Sequence, residues 1–111
     1  MTDNETRTLT TGSSDDGSVE RVLGRRLRDR GDTVSVAESL TGGLVGSMLT
    51  DVPGSSDYFD RGVIAYSNDA KLADLGVPRE SLDAHGAVSA AVAREMAQGI
   101  RDRSGTTWGV S

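Results

Sequence analysis

An α/β domain with a largely parallel central sheet and helices on both faces, a three-layer sandwich, is what this sequence predicts. Three observations carry the prediction. Short runs rich in β-branched residues, Thr33–Ala37, Gly62–Tyr66 and Thr107–Val110, are spaced along the chain as strands. Between them lie segments with apolar residues at helical spacing. Glycine and proline punctuate the boundaries, at Gly31, Pro53-Gly54, Gly76 and Gly86. Strands that alternate with helices are joined by crossovers, and crossovers make neighbouring strands parallel.

The elements follow in order. Residues 1–17 are rich in Thr, Ser, Asp and Gly, with Leu9 the only apolar residue after Met1. Such a segment buries too little surface to offset its ordering entropy, so a disordered polar tail is expected, followed by one domain over residues 18–111. Ser18 is a suitable N-cap for a helix with Val19, Val22, Leu23 and Leu27 on one face. Arg25, Arg26, Arg28 and Arg30 crowd its C-terminal half, where they complement the helix dipole on a solvated face, and Gly31 stops it. Strand Thr33–Ala37 leads to a helix from about Gly42 to Asp51 with Leu44, Val45, Met48 and Leu49 inward. Pro53-Gly54-Ser55-Ser56 makes a turn before strand Gly62–Tyr66. Asn68 is expected to cap a short helix ending at Gly76, and Pro78 to open another short helix to about Ala84. Ser89 caps a longer helix to about Arg103, with Val92, Met96 and Ile100 inward and Trp108 beyond it as a core residue. The chain stops inside its third strand, so the sheet is expected to be incomplete at the C-terminus.

Composition narrows the function classes. Acidic residues outnumber basic ones, 17 to 12, for a net charge of −5. An acidic surface repels nucleic-acid phosphates, so no nucleic-acid partner is expected. Of the basic residues 11 are Arg and one is Lys, and 12 of the acidic residues are Asp, a balance that suits high salt, where screening removes self-repulsion. There is no Cys and one His, which excludes thiol catalysis and a multi-histidine metal centre; no metal and no cofactor is expected. The N-terminus lacks an apolar signal region and no run reaches membrane-spanning length, so the expected location is cytoplasmic, without a membrane partner.

Chemistry concentrates in two places. In Ala37-Glu38-Ser39-Leu40-Thr41-Gly42-Gly43, a strand runs into a serine and then into the start of a helix. This arrangement gathers a hydroxyl and backbone N–H groups of Thr41, Gly42 and Gly43 for an oxyanion or a substrate phosphate. By itself Ser39 reads first as a cap for the following helix, and Glu38 as a positioning group, a substrate contact or an ion-pair partner. The second place is Ala65-Tyr66-Ser67-Asn68-Asp69-Ala70-Lys71, which holds the chain's only lysine. His85 is read as the end of a short helix.

These segments resemble the C-terminal domain of the CinA family, including its stand-alone nicotinamide mononucleotide deamidases of the PncC type. The resemblance rests on TVSVAESLTGG (Thr33–Gly43), LTDVPGSS (Leu49–Ser56), FDRGVIAYSNDAK (Phe59–Lys71), LGV (Leu75–Val77) and HGAVS (His85–Ser89). Five motifs in order make it specific, and it covers about Val19 to Ser111. Leu40 stands where the family has Cys, and the family's Gly-rich loop, further strands and last helix have no counterpart before Ser111. The resemblance implies deamidation of nicotinamide mononucleotide to nicotinic acid mononucleotide and ammonia, with Ser39 as nucleophile and Tyr66 and Lys71 as catalytic partners. It further implies a small-molecule nucleotide substrate, and a homodimer when the domain is complete.

An amide is a poor electrophile, so its hydrolysis needs an activated nucleophile, an oxyanion site and a proton for the leaving ammonia. Serine–lysine pairs replace serine–histidine pairs in other hydrolases. The lysine has to be neutral to accept the serine proton, which burial favours. On this scheme Lys71 deprotonates Ser39, directly or through Tyr66, and water releases the acid from an acyl-enzyme. The alternatives are a nucleotide-binding module without turnover, supported by the Thr-Gly-Gly helix start, and a non-catalytic remnant of the family.

Overall fold

The computed structural model describes residues 17–111; residues 1–16, nearly all of the expected tail, lie outside the described residues. The first helix, α1 (Val19–Arg30), forms as its signals dictate. The Ser18 hydroxyl accepts the Arg21 N–H, and Gly31, at φ 68°, closes the C-terminus in the left-handed conformation that glycine adopts without strain. Strand β1 (Val34–Glu38) follows and is buried along its whole length. It leads to α2 (Leu44–Thr50), a 3₁₀ turn at Ser55–Asp57, β2 (Phe59–Ile64), α3 (Asn68–Leu75), α4 (Arg79–His85), α5 (Ala90–Ser104) and β3 (Trp108–Val110).

The sheet order is β2-β1-β3, and both pairings of β1 are parallel. This is the expected α/β architecture, with the most buried strand in the centre. Burial on both faces explains why β1 reads as an unbroken run with little alternation.

Side chains alternate across β1. Val34 packs with Leu27 of α1 and with Tyr58, while Val36 lies toward Gly46 of α2. Ala37 points the other way, into a cluster with Val92, Met96 and Ile100 of α5, joined by Ala65, Leu75, Val77 and Leu82. The two clusters put helices on opposite faces of one sheet, three layers in all.

Several boundaries differ from the sequence expectation. The second strand is Phe59–Ile64 rather than Gly62–Tyr66. Pairing with β1 sets its limits: the Val34 N–H donates to the Tyr58 carbonyl at 2.8 Å and the Ala65 N–H to the Glu38 carbonyl at 2.8 Å. Tyr66 therefore lies just beyond the strand. The helix expected from Gly42 begins at Leu44, because Gly42 and Gly43 take φ of 63° and 105°, which an α-helix does not accommodate. Ser67, not Asn68, caps α3; its hydroxyl accepts the Ala70 N–H at 3.0 Å.

Trp108 is not a core residue. It is 48% exposed on the edge strand β3, where its indole N–H donates to Asp32 and the Arg30 guanidinium stacks over its ring. Arg28 is likewise more than a solvated charge. It donates to the Gly54 carbonyl, pairs with Asp57 and lies over the Tyr58 ring, tying α1 to the turn before β2.

Candidate active site

The period-2 geometry of β1 separates two adjacent residues. Glu38, like Val34 and Val36, faces the α2 side, and Ser39 emerges on the α5 side at the C-terminal end of the central strand. That edge of a parallel sheet is where ligands bind in open α/β folds.

Ser39 and Thr41 line a cavity of about 270 Å³ together with Leu40, Val88, Ser89 and Met96. No charged side chain takes part in that wall. Among the described residues the Ser39 hydroxyl makes no hydrogen bond, so it is available to a bound molecule. It does not cap α2; Gly43 occupies the N-cap position.

The turn itself is held by two i-to-i+3 bonds, from Gly42 N–H to the Ser39 carbonyl at 3.0 Å and from Leu44 N–H to the Thr41 carbonyl at 3.1 Å. The Glu38 carboxylate closes it from the other face of the strand. Its Oε1 accepts the N–H groups of Gly43 at 3.1 Å and Val45 at 2.9 Å, and its Oε2 accepts the Gly46 N–H at 2.8 Å. Burial pushes the Glu38 carboxyl up, but the N–H groups of Gly46 and Val45, the Thr41 hydroxyl and the Gly43 N–H together hold it below its ordinary range.

This geometry corrects two expectations. The N–H groups of Gly42 and Gly43 are engaged inside the turn, so they are not free for an oxyanion or a phosphate. Glu38 is buried beneath the turn at 4% exposure with its oxygens occupied, so it is not presented as a substrate contact. A fixed carboxylate at the start of α2 also takes the place a bound anion would fill. Within the turn the N–H groups of Ser39, Leu40 and Thr41 have no partner among the described residues. The sequence pointed to Thr41, Gly42 and Gly43 as donors and not to Leu40; the position directly after Ser39 was the available signal. Nor did it point to the Val88–Met96 wall, whose closeness to Ser39 depends on how α5 packs against β1.

Lys71 is buried, at 2% exposure, and its Nζ donates to the Tyr66 carbonyl at 2.9 Å. Among the described residues no carboxylate pairs with it. The Ala65-to-Glu38 hydrogen bond sets the ends of β1 and β2 side by side, so Ser39 and the Tyr66–Lys71 contact share one sheet edge. Strand spacing in a sheet is about 4.8 Å, which makes these strand ends immediate neighbours. Lys71 and Tyr66 lie outside the cavity wall described above. The Tyr66 ring is 73% exposed, and it is the backbone carbonyl, not the phenol, that meets Lys71. His85 ends α4, is exposed and is not part of that wall.

A parallel three-layer α/β domain carrying a serine turn at the end of its central strand, beside a buried lysine, is the class of protein that this fold and site define. The chain matches the family model described as the CinA C-terminal domain over residues 16–111, and it belongs to that family. It is 54% identical over 97 residues to a CinA-like protein of Synechocystis, an alignment covering 87% of this chain and 23% of that relative. A CinA-like protein of Chlorobium limicola is 55% identical over 96 residues, covering 86% and 22% respectively. Among solved structures, a competence-damaged protein (CinA) superfamily protein from Enterobacter cloacae superposes with TM-score 0.80 at 33% identity, covering 96% of this chain and 61% of that one. The competence/damage inducible protein CihA from Agrobacterium tumefaciens gives TM-score 0.75 at 43% identity, covering 80% and 53%. The chain thus spans about a quarter of the length of these curated relatives. Among the described residues no helix is long and apolar enough to cross a membrane.

Proposed function

We propose that the protein is an amidohydrolase that converts nicotinamide mononucleotide to nicotinic acid mononucleotide and ammonia. The observation that carries this reading is the placement of Ser39 and Lys71. A serine hydroxyl without a hydrogen bond among the described residues opens into a small cavity lined by no charged side chain, and a buried lysine is anchored at the end of the neighbouring strand. The neutral wall of Leu40, Val88 and Met96 suits a flat pyridine ring bearing a carboxamide.

In the reaction the Ser39 oxygen attacks the amide carbonyl carbon as Lys71, in its neutral form, takes the hydroxyl proton. The carbonyl oxygen becomes an oxyanion that the N–H groups of Leu40 and Thr41 are free to receive. Collapse breaks the C–N bond, and the proton held by Lys71 leaves with ammonia. Water then attacks the Ser39 ester, Lys71 takes its proton, and the acid departs with Ser39 restored. Tyr66 contributes through its carbonyl, which orients the lysine.

The test is ammonia release from nicotinamide mononucleotide in concentrated KCl, with Ser39→Ala and Lys71→Met beside the parent. Methionine keeps the apolar stem of the buried lysine. Both variants are expected to lose activity by about a thousandfold or more, as removal of a nucleophile or its base does. A parent that circular dichroism shows folded and that releases no ammonia overturns the reading. Retained activity in Lys71→Met removes Lys71 from the mechanism.

A further inference from the structure

The buried carboxylate under the serine turn is a charged group that the reaction above does not use. A carboxylate at 4% exposure, with no cationic partner among the described residues, is costly unless hydrogen bonds to it are nearly complete. Glu38 meets that condition with N–H groups from one short stretch of chain, those of Gly43, Val45 and Gly46. These are the groups that the first turn of α2 leaves without helical partners. Glycine is required where the chain bends over the carboxylate. Gly43 has φ 105°, and a Cβ there would lie 3.0 Å from the Ile64 side chain. Two unlike contacts thus act on one loop: Glu38 pulls its far end toward the α2 face, and the bond from Gly42 N–H to the Ser39 carbonyl fixes its near end.

The geometry points to Glu38 as a positioning residue that sets the orientation of Ser39, and of the Leu40 and Thr41 N–H groups, toward the cavity. Its part in the reaction rests on the amidohydrolase reading; its clamp on the turn does not. The charge matters as well as the length. A carboxylate offers acceptors on both oxygens, whereas a glutamine amide offers one acceptor and turns an N–H group toward a backbone donor. With Glu38→Gln, therefore, either Gly46 or the Gly43–Val45 pair faces another donor, and the turn opens. The neighbouring Ala65-to-Glu38 backbone bond is unaffected by the change, so the strand pairing persists.

Two measurements test this. The first is backbone amide hydrogen exchange in the parent and in Glu38→Gln. In the parent, Gly43, Val45 and Gly46 are expected to be protected while Leu40 and Thr41 exchange quickly. In the variant, protection falls at Gly43, Val45 and Gly46 but persists along β1 and α5. The second is steady-state ammonia release: kcat is expected to fall by about 10–100-fold with KM within about twofold, because misplacement of a nucleophile affects the chemical step. Unchanged protection at the three amides overturns the clamp. A raised KM with unchanged kcat overturns the positioning role and makes Glu38 a substrate ligand. A parent without ammonia release overturns the amidohydrolase reading alone, and the exchange measurement then decides the clamp by itself.

Discussion

Glu38 and Ser39 are adjacent in the chain yet meet opposite layers, α2 and α5, because successive residues of a strand face opposite ways. The same carboxylate that organises the turn also makes it sensitive to acid. Its carboxyl is held below the ordinary value of 4.5, so the folded state binds the proton less readily than the unfolded chain. The stabilisation is present in full above about pH 4.5 and is lost as pH falls through the lower folded value. Denaturant midpoints of the parent and of Glu38→Gln, taken from pH 7 down to pH 3, are expected to converge as the pH falls. A constant gap between them would show that Glu38 ionisation does not contribute. Lys71 makes a related point. Its uniqueness in the composition marked it out, but that it is buried, and held by the Tyr66 carbonyl rather than the phenol, follows from where α3 docks.

Among the elements, α5 decides how the site closes. It supplies Ala93 and Met96 to the cavity and packs across β1 and β3. Close approach is built in through two glycines. A Cβ on Gly99 would fall 1.9 Å from the Leu75 carbonyl oxygen of α3, and one on Gly109 would fall 2.2 Å from the Ala97 carbonyl oxygen. Both obstacles are backbone and cannot rotate away. Gly99→Ala therefore has to push α3 from α5, and overpacking of this kind costs about 1–3 kcal/mol. Chemical denaturation is expected to show that loss despite alanine's better helix propensity; an unchanged or raised midpoint would mean that the helices separate freely. The caps of α1 and α5 at Ser18 and Ser89, and the αL stops at Gly31 and Gly76, follow from local chemistry and were legible. The limits of β2 were not, since its residues are mostly exposed and its ends are set by hydrogen bonds to a strand more than twenty residues away.

For the whole molecule, the acidic balance of 17 to 12 predicts that screening stabilises the fold. The ion pairs among the described residues are surface contacts such as Arg79–Asp69 and Arg28–Asp57, each worth at most about 1 kcal/mol in water. Net repulsion therefore outweighs local pairing at low salt. The thermal midpoint is expected to rise as KCl increases from dilute buffer to molar concentrations; a flat or falling midpoint would refute the reading of the Asp and Arg excess as a high-salt adaptation. The sequence by itself determined the α/β class, the order of strands and helices, the serine turn and the lysine, because these depend on local pattern and on residues present nowhere else. Only the tertiary structure decided that the N–H groups of Gly42 and Gly43 are engaged inside the turn, that Trp108 lies on an edge, and that Leu40 and Val88 wall the cavity. The reason is physical: a hydrogen bond or a contact between distant segments depends on where strands pair and helices dock, and no local period records that.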